Sequence, residues 1–491
     1  MIHRLALLLV SIVFPLATWA GSVVLETHDG SITLEGELVS FNGELFRVKT
    51  AYGTLTMDGG NVTCSGPGCP KAEALIAQAR IAGPSDIVHR LITPLLQAYA
   101  EKQGYGFRRI YKSDTATTWE LSLKSGQLVA VIDGQVTDDS EALRLLAAGD
   151  ADIAVGRTES GEDAVREDVF ALDALVPAVA PDNPRAMVTF DQLQGLLGAG
   201  IDNWSRLAGP DLPVALHLPD GKADLLQRLQ PSRRFASAIR HVDPDVLSDA
   251  VAEDPAALGV ASFSSIGNAV PLVVSGACGL AIPATPDTIR AEDYPLTEPL
   301  FLHRIGVQQP KLIREFITFT RSYEAQPVIR TTGFVDQAIG RIRFERQGDR
   351  LANAVLGAGD APAAMKTVQE MIGALMRGQR LTLTFRFRDG SSDLDPQSRS
   401  NLRRLSEAIN RGDFDGQELV FVGFSDGVGP AGGNLRLSQE RARSVRRAVG
   451  SMLDGAPVEL SSDGFGEAMP MACDDTVWGR QVNRRVEVWV R

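Results

Sequence analysis

The chain has 491 residues, 44% of them hydrophobic and 22% charged, which excludes a wholly disordered or collagen-like protein and predicts about three domains. Lys and Arg total 49 against 61 Asp and Glu, a net charge of −12, so general nucleic-acid binding is not expected. After the first twenty residues no stretch approaches about 18 consecutive apolar residues, so a polytopic membrane protein is excluded.

Residues 1–20 read as a signal peptide. Arg4 supplies a positive charge, Leu5 to Leu16 is uncharged and apolar, and Thr18-Trp19-Ala20 places small residues at a cleavage point before Gly21. Such an apolar run rises about 18 Å as helix, short of a ~30 Å hydrocarbon layer. No cysteine stands at the cleavage point to carry a lipid. The expected mature chain is exported to the periplasm and has no transmembrane segment.

Residues 21–71 read as a small β-barrel or sandwich module. Asp29-Gly30, Asn42-Gly43, Tyr52-Gly53 and Asp58-Gly59 punctuate alternating stretches such as Ser31 to Glu35 and Glu44 to Val48, the pattern of hairpins. Cys64 and Cys69 flank Gly66-Pro67-Gly68 and are expected to form a local disulfide that staples so small a module. Cys278 and Cys473 either pair across two domains or remain buried thiols. No zinc spacing occurs, and no metal or cofactor is expected.

Residues 72–344 alternate strand-like and helix-like patterns, which predicts an α/β fold. Leu128 to Ile132 is an apolar strand, and Glu141 to Leu146 has helical spacing. Several pieces follow in order: Arg80-Ile81-Ala82-Gly83, Ala148 to Ala154 with Gly156-Arg157, Asp182-Asn183-Pro184, Gly200 to Ser205, Ala257 to Val260, Tyr294-Pro295-Leu296 and Gly333-Phe334-Val335. This region resembles the phosphate-type periplasmic solute-binding proteins. The resemblance implies the type II periplasmic-binding-protein fold, two lobes joined by crossover strands with a ligand in the cleft.

The cleft loops depart from that pattern. Gly83-Pro84-Ser85-Asp86 stands where the family has a hydroxyl-rich loop, and His217 to Asp224 stands where it has an Arg followed by Asp-Gly-Ser-Gly-Thr. A desolvated phosphate needs a dense set of donors; here donors are lost and the carboxylates of Asp86 and Asp224 are added. The expected ligand is therefore not inorganic phosphate but another small anionic solute, with Ser85, Thr115, Arg157 and Lys222 as cleft donors. The alternative is a two-lobed domain that binds no small molecule and serves as a scaffold or protein contact.

Residues 345–379 read as a hinged linker with one helix. Ala352 to Ala364 is rich in Ala and Gly, and Val368, Met371, Ile372 and Leu375 mark a helix over 365–376.

Residues 380–491 hold the sharpest pattern. Leu381 to Phe387 alternates as a strand, Asp395-Pro396 opens a helix striped by Leu402, Leu405 and Ile409, and Glu418 to Phe424 is a strand before a Gly-rich loop. A long helix over 435–453 and strands over 457–460 and 485–490 follow. Gly423-Phe424-Ser425-Asp426-Gly427, Asn434 to Ala442 and Gly479 to Val486 resemble the C-terminal peptidoglycan-binding domain of the outer-membrane-protein-A family, an α+β fold. The resemblance implies as ligand the diaminopimelate tip of the peptidoglycan stem, which carries an ammonium and a carboxylate. Asp426 matches the family's acidic position and Arg441 its basic one, with Asn434 and Ser438 as neutral hydrogen-bonding partners. Arg484 and Arg485 are expected to stabilise the fold or the rim.

Gly427-Val428-Gly429-Pro430-Ala431-Gly432 also fits a dinucleotide-binding spacing, but Pro430 interrupts it and no acidic strand end follows about 20 residues later. No His-Glu-x-x-His, Gly-x-Ser-x-Gly or P-loop occurs among the six scattered histidines and the rest of the chain. The chain is expected to be a non-catalytic envelope protein, held to the cell wall and associated with the outer membrane, displaying its two-lobed domain to a solute or an envelope protein.

Overall fold

The computed structural model describes residues 22–491, apart from 42–44, 71–75, 199, 221–225, 227–234, 277–279, 307–308, 389–392 and 475–476. The signal peptide, the Asn42-Gly43 turn, Lys222, Asp224 and Cys278 lie outside the described residues.

The first module consists of β1 (Ser22–Thr27), β2 (Thr33–Phe41), β3 (Leu45–Thr50), β4 (Gly53–Asp58) and β5 (Val62–Ser65). They form one five-stranded antiparallel sheet in the order β4-β3-β2-β1-β5. The expected barrel or sandwich is thus a single open sheet, with no ladder between β4 and β5 among the described residues. Alternation leaves one apolar face, where Val23, Leu25, Phe46, Val48 and Val62 pack. The Cys64–Cys69 disulfide closes against that core.

The two-lobed domain is built around an eleven-stranded sheet. Its first lobe holds β6 (Ala77–Gly83), a π-helical segment Asp86–Ile92 running into α1 (Thr93–Gln103), β7 (Gly106–Ser113), β8 (Ala116–Ser122), β9 (Leu128–Val136), α2 (Asp139–Ala148) and β10 (Ile153–Gly156). The crossover strand β11 (Val165–Val179) leads to the second lobe, with β12 (Ala215–Pro219), β13 (Ala238–His241), α3 (Pro244–Glu253) and β14 (Ala257–Ser262). The chain returns along β15 (Thr297–Ile305) to α4 (Lys311–Thr320) in the first lobe. The strand order is β13-β12-β14-β11-β15-β10-β6-β9-β8-β7, and the eleventh, the short strand Val270–Pro271, pairs with β11 off this path. β11 and β15 pair antiparallel from Val165 opposite Ile305 to Ala174 opposite Thr297. From Asp168 onward β11 is buried at every residue, as expected of a strand covered on both faces. One core gathers Ile81, Leu91, Trp119, Ile132 and Phe316, and the other Leu193, Trp204, Leu218, Leu258 and Tyr294.

The C-terminal domain begins earlier than the sequence suggests. β16 (Arg341–Arg343) already pairs with β17 (Gln379–Arg386). Between them α5 (Gly348–Ala358) and α6 (Pro362–Leu375) form a helical pair rather than a hinge. Ala354, Val368, Met371 and Leu375 bury against Val420, Val422, Phe424 and Trp489; small alanines let the helices lie close. Next come α7 (Pro396–Asn410), β18 (Glu418–Gly423), α8 (Ala431–Gly450), β19 (Glu459–Gly464), α9 (Val477–Asn483) and β20 (Arg485–Val490). The sheet order is β16-β17-β20-β18-β19, with β18 and β19 parallel. Asp395 caps α7 by accepting from the Ser398 amide at 2.7 Å. Leu405 and Ile409 of α7 join Ala442, Val445 and Val449 of α8 on the opposite sheet face from α5 and α6. A Cβ on Gly423 would stand 2.0 Å from the Ser438 carbonyl oxygen, so glycine there lets α8 rest directly on β18. Among the described residues no helix is long and apolar enough to cross a membrane.

A buried ionic cluster holds this domain to the second lobe. Glu487 of β20 meets Arg485 Nε at 2.8 Å, Arg380 Nε at 3.1 Å and Arg350 of α5. Arg380 also reaches Asp293 Oδ1 of the second lobe at 2.8 Å, and Arg386 reaches Glu292 at 2.6 Å. Met471 and Val482 pack on Leu280 nearby. Of the two alternatives for Cys473, the buried thiol does not hold, because Cys473 is disulfide-bonded; Cys278 lies outside the described residues. Burial alone would push the Glu487 carboxyl up, but Arg350, Arg380 and Arg485 outweigh it and hold it well below the usual carboxylate range. Ionised Glu487 therefore adds stability above pH ~4.5 that is lost as pH falls toward the depressed folded-state value. Glu487→Gln removes the carboxylate shared by three buried guanidiniums and is expected to lower unfolding free energy by ~3–5 kcal/mol at pH 7, with a flatter loss of stability below pH ~4.5. Urea titrations across pH check both; a variant as stable as the parent would contradict the cluster's role.

Candidate functional site

β18 ends at Gly423, and the chain then turns through Asp426 and Gly427 into α8. The Asp426 carboxylate accepts from the Val428 amide at 3.2 Å and pairs with Arg484 Nη1 at 3.0 Å. Arg484 follows α9, so the closing signature returns to the loop after β18. It forms the direct partner of Asp426, where a fold or rim role was expected. Arg441 lies two turns along α8 from Asn434, a climb of about 10 Å. Its guanidinium sits 5.4 Å from the Phe387 ring centre, and its Nη1 is buried without a hydrogen-bond partner. Burial pulls the Arg441 pKa down and Arg484 adds to this, while Asp426 opposes both. Asp426 and Arg441 are thus brought within electrostatic reach of each other.

The neutral pair is placed differently. Asn434 is buried, and its side-chain amide donates to Glu467 Oε2 at 3.1 Å. Ser438 is fully buried; its hydroxyl donates to the Leu435 carbonyl at 2.8 Å and accepts from the Gly466 amide at 3.0 Å. The expected ligand-binding role of Ser438 is corrected here: its hydroxyl bonds back within α8 to Leu435 and fastens the helix to the loop after β19 through Gly466, and no exposed edge remains. The residues that sequence reasoning missed are Phe387, Glu467 and Asp474. Asp474 accepts from the Gly427 amide at 2.7 Å and from the Asn483 side chain at 2.8 Å. A Cβ on Gly427 would come 2.7 Å from Asp474 Oδ2, so the Gly after Asp426 was the available signal.

The loop between the lobes shows another balance of charge. Arg157, the cation among the expected cleft donors that lies in the described residues, is buried and neutralised by the chain itself. Its guanidinium meets Asp86, Asp173 at 3.1 Å and Glu298 at 3.6 Å, all with side chains under a tenth exposed. Burial alone would lower its pKa, but Asp86, Glu298 and Asp173 raise it well above the ordinary value. Asp173 also accepts from the Ser264 amide at 3.0 Å and its hydroxyl at 2.9 Å. Arg90 of the first lobe bridges to Asp245 of α3 at 3.0 Å and to the Ser264 carbonyl at 2.8 Å. The expectation that Arg157 is free for a solute is therefore corrected. Ser85 is exposed at the start of the π-helical segment. Thr115 is exposed in the β7–β8 turn and bonds Ser113 at 3.2 Å. The structure does not gather these three into one pocket of free donors. Arg157→Met removes the cation shared by three buried carboxylates and is expected to cost ~3–5 kcal/mol of stability, read by urea unfolding; an unchanged midpoint would contradict the internal neutralisation.

Residues 386–484 match the OmpA family and form an OmpA family domain. Outer membrane porin F of Pseudomonas fluorescens is 33% identical over 112 residues, covering 23% of this chain and 33% of that protein. The peptidoglycan-associated lipoprotein of Pseudomonas aeruginosa is 33% identical over 112 residues, covering 22% of this chain and 62% of its own. Ahead of that domain, the phosphate-binding protein PstS of Borreliella burgdorferi is 24% identical over 189 residues, covering 36% of this chain and 68% of its own. The chain spans about a third to a half of the length of several outer-membrane relatives it matches. A solute-binding-protein-like domain is thus fused to an OmpA family domain.

Proposed function

We propose that this is a non-catalytic protein of the cell envelope that holds peptidoglycan through its C-terminal domain and carries the two-lobed domain as a body fixed to that anchor. The ligand is the diaminopimelate tip of the peptide stem. A zwitterion needs an anion for its ammonium and a cation for its carboxylate. Asp426 supplies the first and Arg441 the second, with Asn434, held by Glu467, beside them. The observation that carries the reading is the buried, unpartnered Nη1 of Arg441 close to Asp426, because a buried donor left unpaired is costly until a ligand accepts from it. The name of the peptidoglycan-associated lipoprotein relative supports the same ligand. Periplasmic placement at the wall, next to the outer membrane, follows from this reading.

The lobes are read as a scaffold rather than a solute receptor. The internal neutralisation of Arg157 favours this, since an incoming anion would have to displace carboxylates already in contact with that buried cation.

Pull-down on purified sacculi tests the anchor. Asp426→Ala and Arg441→Ala are each expected to lower retention at least tenfold while the far-ultraviolet dichroism stays that of the parent, and free diaminopimelate is expected to compete. Retention unchanged in both variants would refute the site. Ser438→Ala is expected to lose stability rather than selective binding.

A further inference from the structure

The face of α7 turned to the first lobe is charged. Ser400, Arg403, Arg404, Glu407 and Arg411 share one side of the helix, opposite Leu402, Leu405 and Ile409. Ser400 Oγ lies 3.3 Å from Gln337 Oε1 and 3.4 Å from the Val169 carbonyl, and Arg411 covers the Tyr323 ring at 5.5 Å. Between these two contacts, the nearly buried carboxylate of Asp168 is shared by Arg304 at 3.1 Å, Arg321 at 2.5 Å and Arg403 at 3.1 Å. Arg404 stands in the electrostatic reach of Arg321 and Arg403.

The charges in this seam do not balance. Arg404 Nε and Nη2 and Arg304 Nε are buried with no hydrogen-bond partner. Asp336, the other carboxylate near Arg404, is taken by Arg290 at 2.8 Å and Arg330 at 3.2 Å. Four guanidiniums therefore face Asp168 and the exposed Glu407. Burial pulls the Arg404 pKa down to about 10; Glu407 opposes this, while Arg321 and Arg403 add to it.

We propose that the seam between α7 and the first lobe binds a doubly charged tetrahedral oxyanion, as phosphate or the phosphate group of a larger molecule, through Arg304, Arg321, Arg403 and Arg404. Guanidinium forks match such oxyanions and lose less hydration than ammonium groups on burial. A phosphate group carries about −1.5 to −2 charge near neutral pH, enough to offset the surplus that a monocarboxylate would leave half-met. The site shares no residue with Arg157 and its carboxylates or with Asp426 and Arg441, and it does not depend on the peptidoglycan reading. An anion there would fasten the anchor domain to the lobe.

Equilibrium dialysis of the full mature chain with labelled phosphate, alongside thermal unfolding in phosphate, glycerol phosphate and chloride at matched ionic strength, tests this. One phosphate is expected to bind per chain with a saturable rise in the unfolding midpoint. Arg404→Gln and Arg321→Gln are each expected to lower that affinity at least tenfold, with Arg404→Lys restoring part of it. An equal response to glycerol phosphate supports a phosphate group on a larger molecule, and a response to phosphate alone supports the free ion. No saturable response to either, or full binding in both Gln variants, would overturn the proposal.

Discussion

The architecture depends on where one carboxylate sits. Glu487 is fully enclosed and would be intolerable there without the guanidiniums of Arg350, Arg380 and Arg485. These come from a helix of the supposed linker, from the strand opening the OmpA family core and from the last strand. Satisfying Glu487 thus requires all three pieces to assemble together. Arg380 then passes the constraint outward to Asp293 of the second lobe. The C-terminal domain and the two-lobed domain are consequently joined by desolvated ionic contacts, with apolar packing of Met471 and Val482 on Leu280 beside them. Such contacts are directional, so they set orientation as well as proximity.

Arginine recurs at each informative position, and its role follows from how many carboxylates reach it. Arg157 has three acidic neighbours that offset its charge, although its Nε, 3.6 Å from Glu298, has no hydrogen-bond partner. Arg441 keeps a buried N–H without an acceptor, and Arg404 keeps two such nitrogens. Arg484 is intermediate: it holds Asp426 in place while leaving that carboxylate partly accessible. Residue type alone does not separate these cases, because the same guanidinium is a structural pin, a ligand donor or a surplus charge according to its surroundings.

Much of the C-terminal fold was legible in the sequence because local signals agree with the tertiary environment. Period-two apolar alternation marks the strands over 379–386 and 485–490, a continuous apolar run marks the one over 418–423, and Asp395-Pro396 marks the start of α7. Residues 348–375 misled because Ala and Gly are frequent in loose connections, whereas here their small size permits two helices to pack on the sheet. The motif spacing located Asp426 and Arg441, but the contribution of Arg484 was hidden by a separation of 58 residues from Asp426. Arg157 was misread for the same reason: Asp86 lies 71 residues away, and no local pattern announces that contact. Ser438 occupies a motif position yet is consumed by backbone groups, which only the close approach of α8 to the sheet reveals.

These features together bear on how freely the two lobes can move. A two-lobed receptor works by letting its lobes move about the crossover strands when a ligand bridges them. In this chain Arg90 and the Asp173–Ser264 contacts already bridge the lobes, and Arg157 is already neutralised at their junction. The C-terminal domain adds contacts to both sides, through Ser400 and Arg403 to the first lobe and Arg380 and Arg386 to the second. A ligand could change the angle between lobes only by its preference for one arrangement over the other. Moving them here would also break buried ion pairs that no ligand replaces. The contacts between the lobes and the C-terminal domain therefore brace the two-lobed domain in the arrangement described.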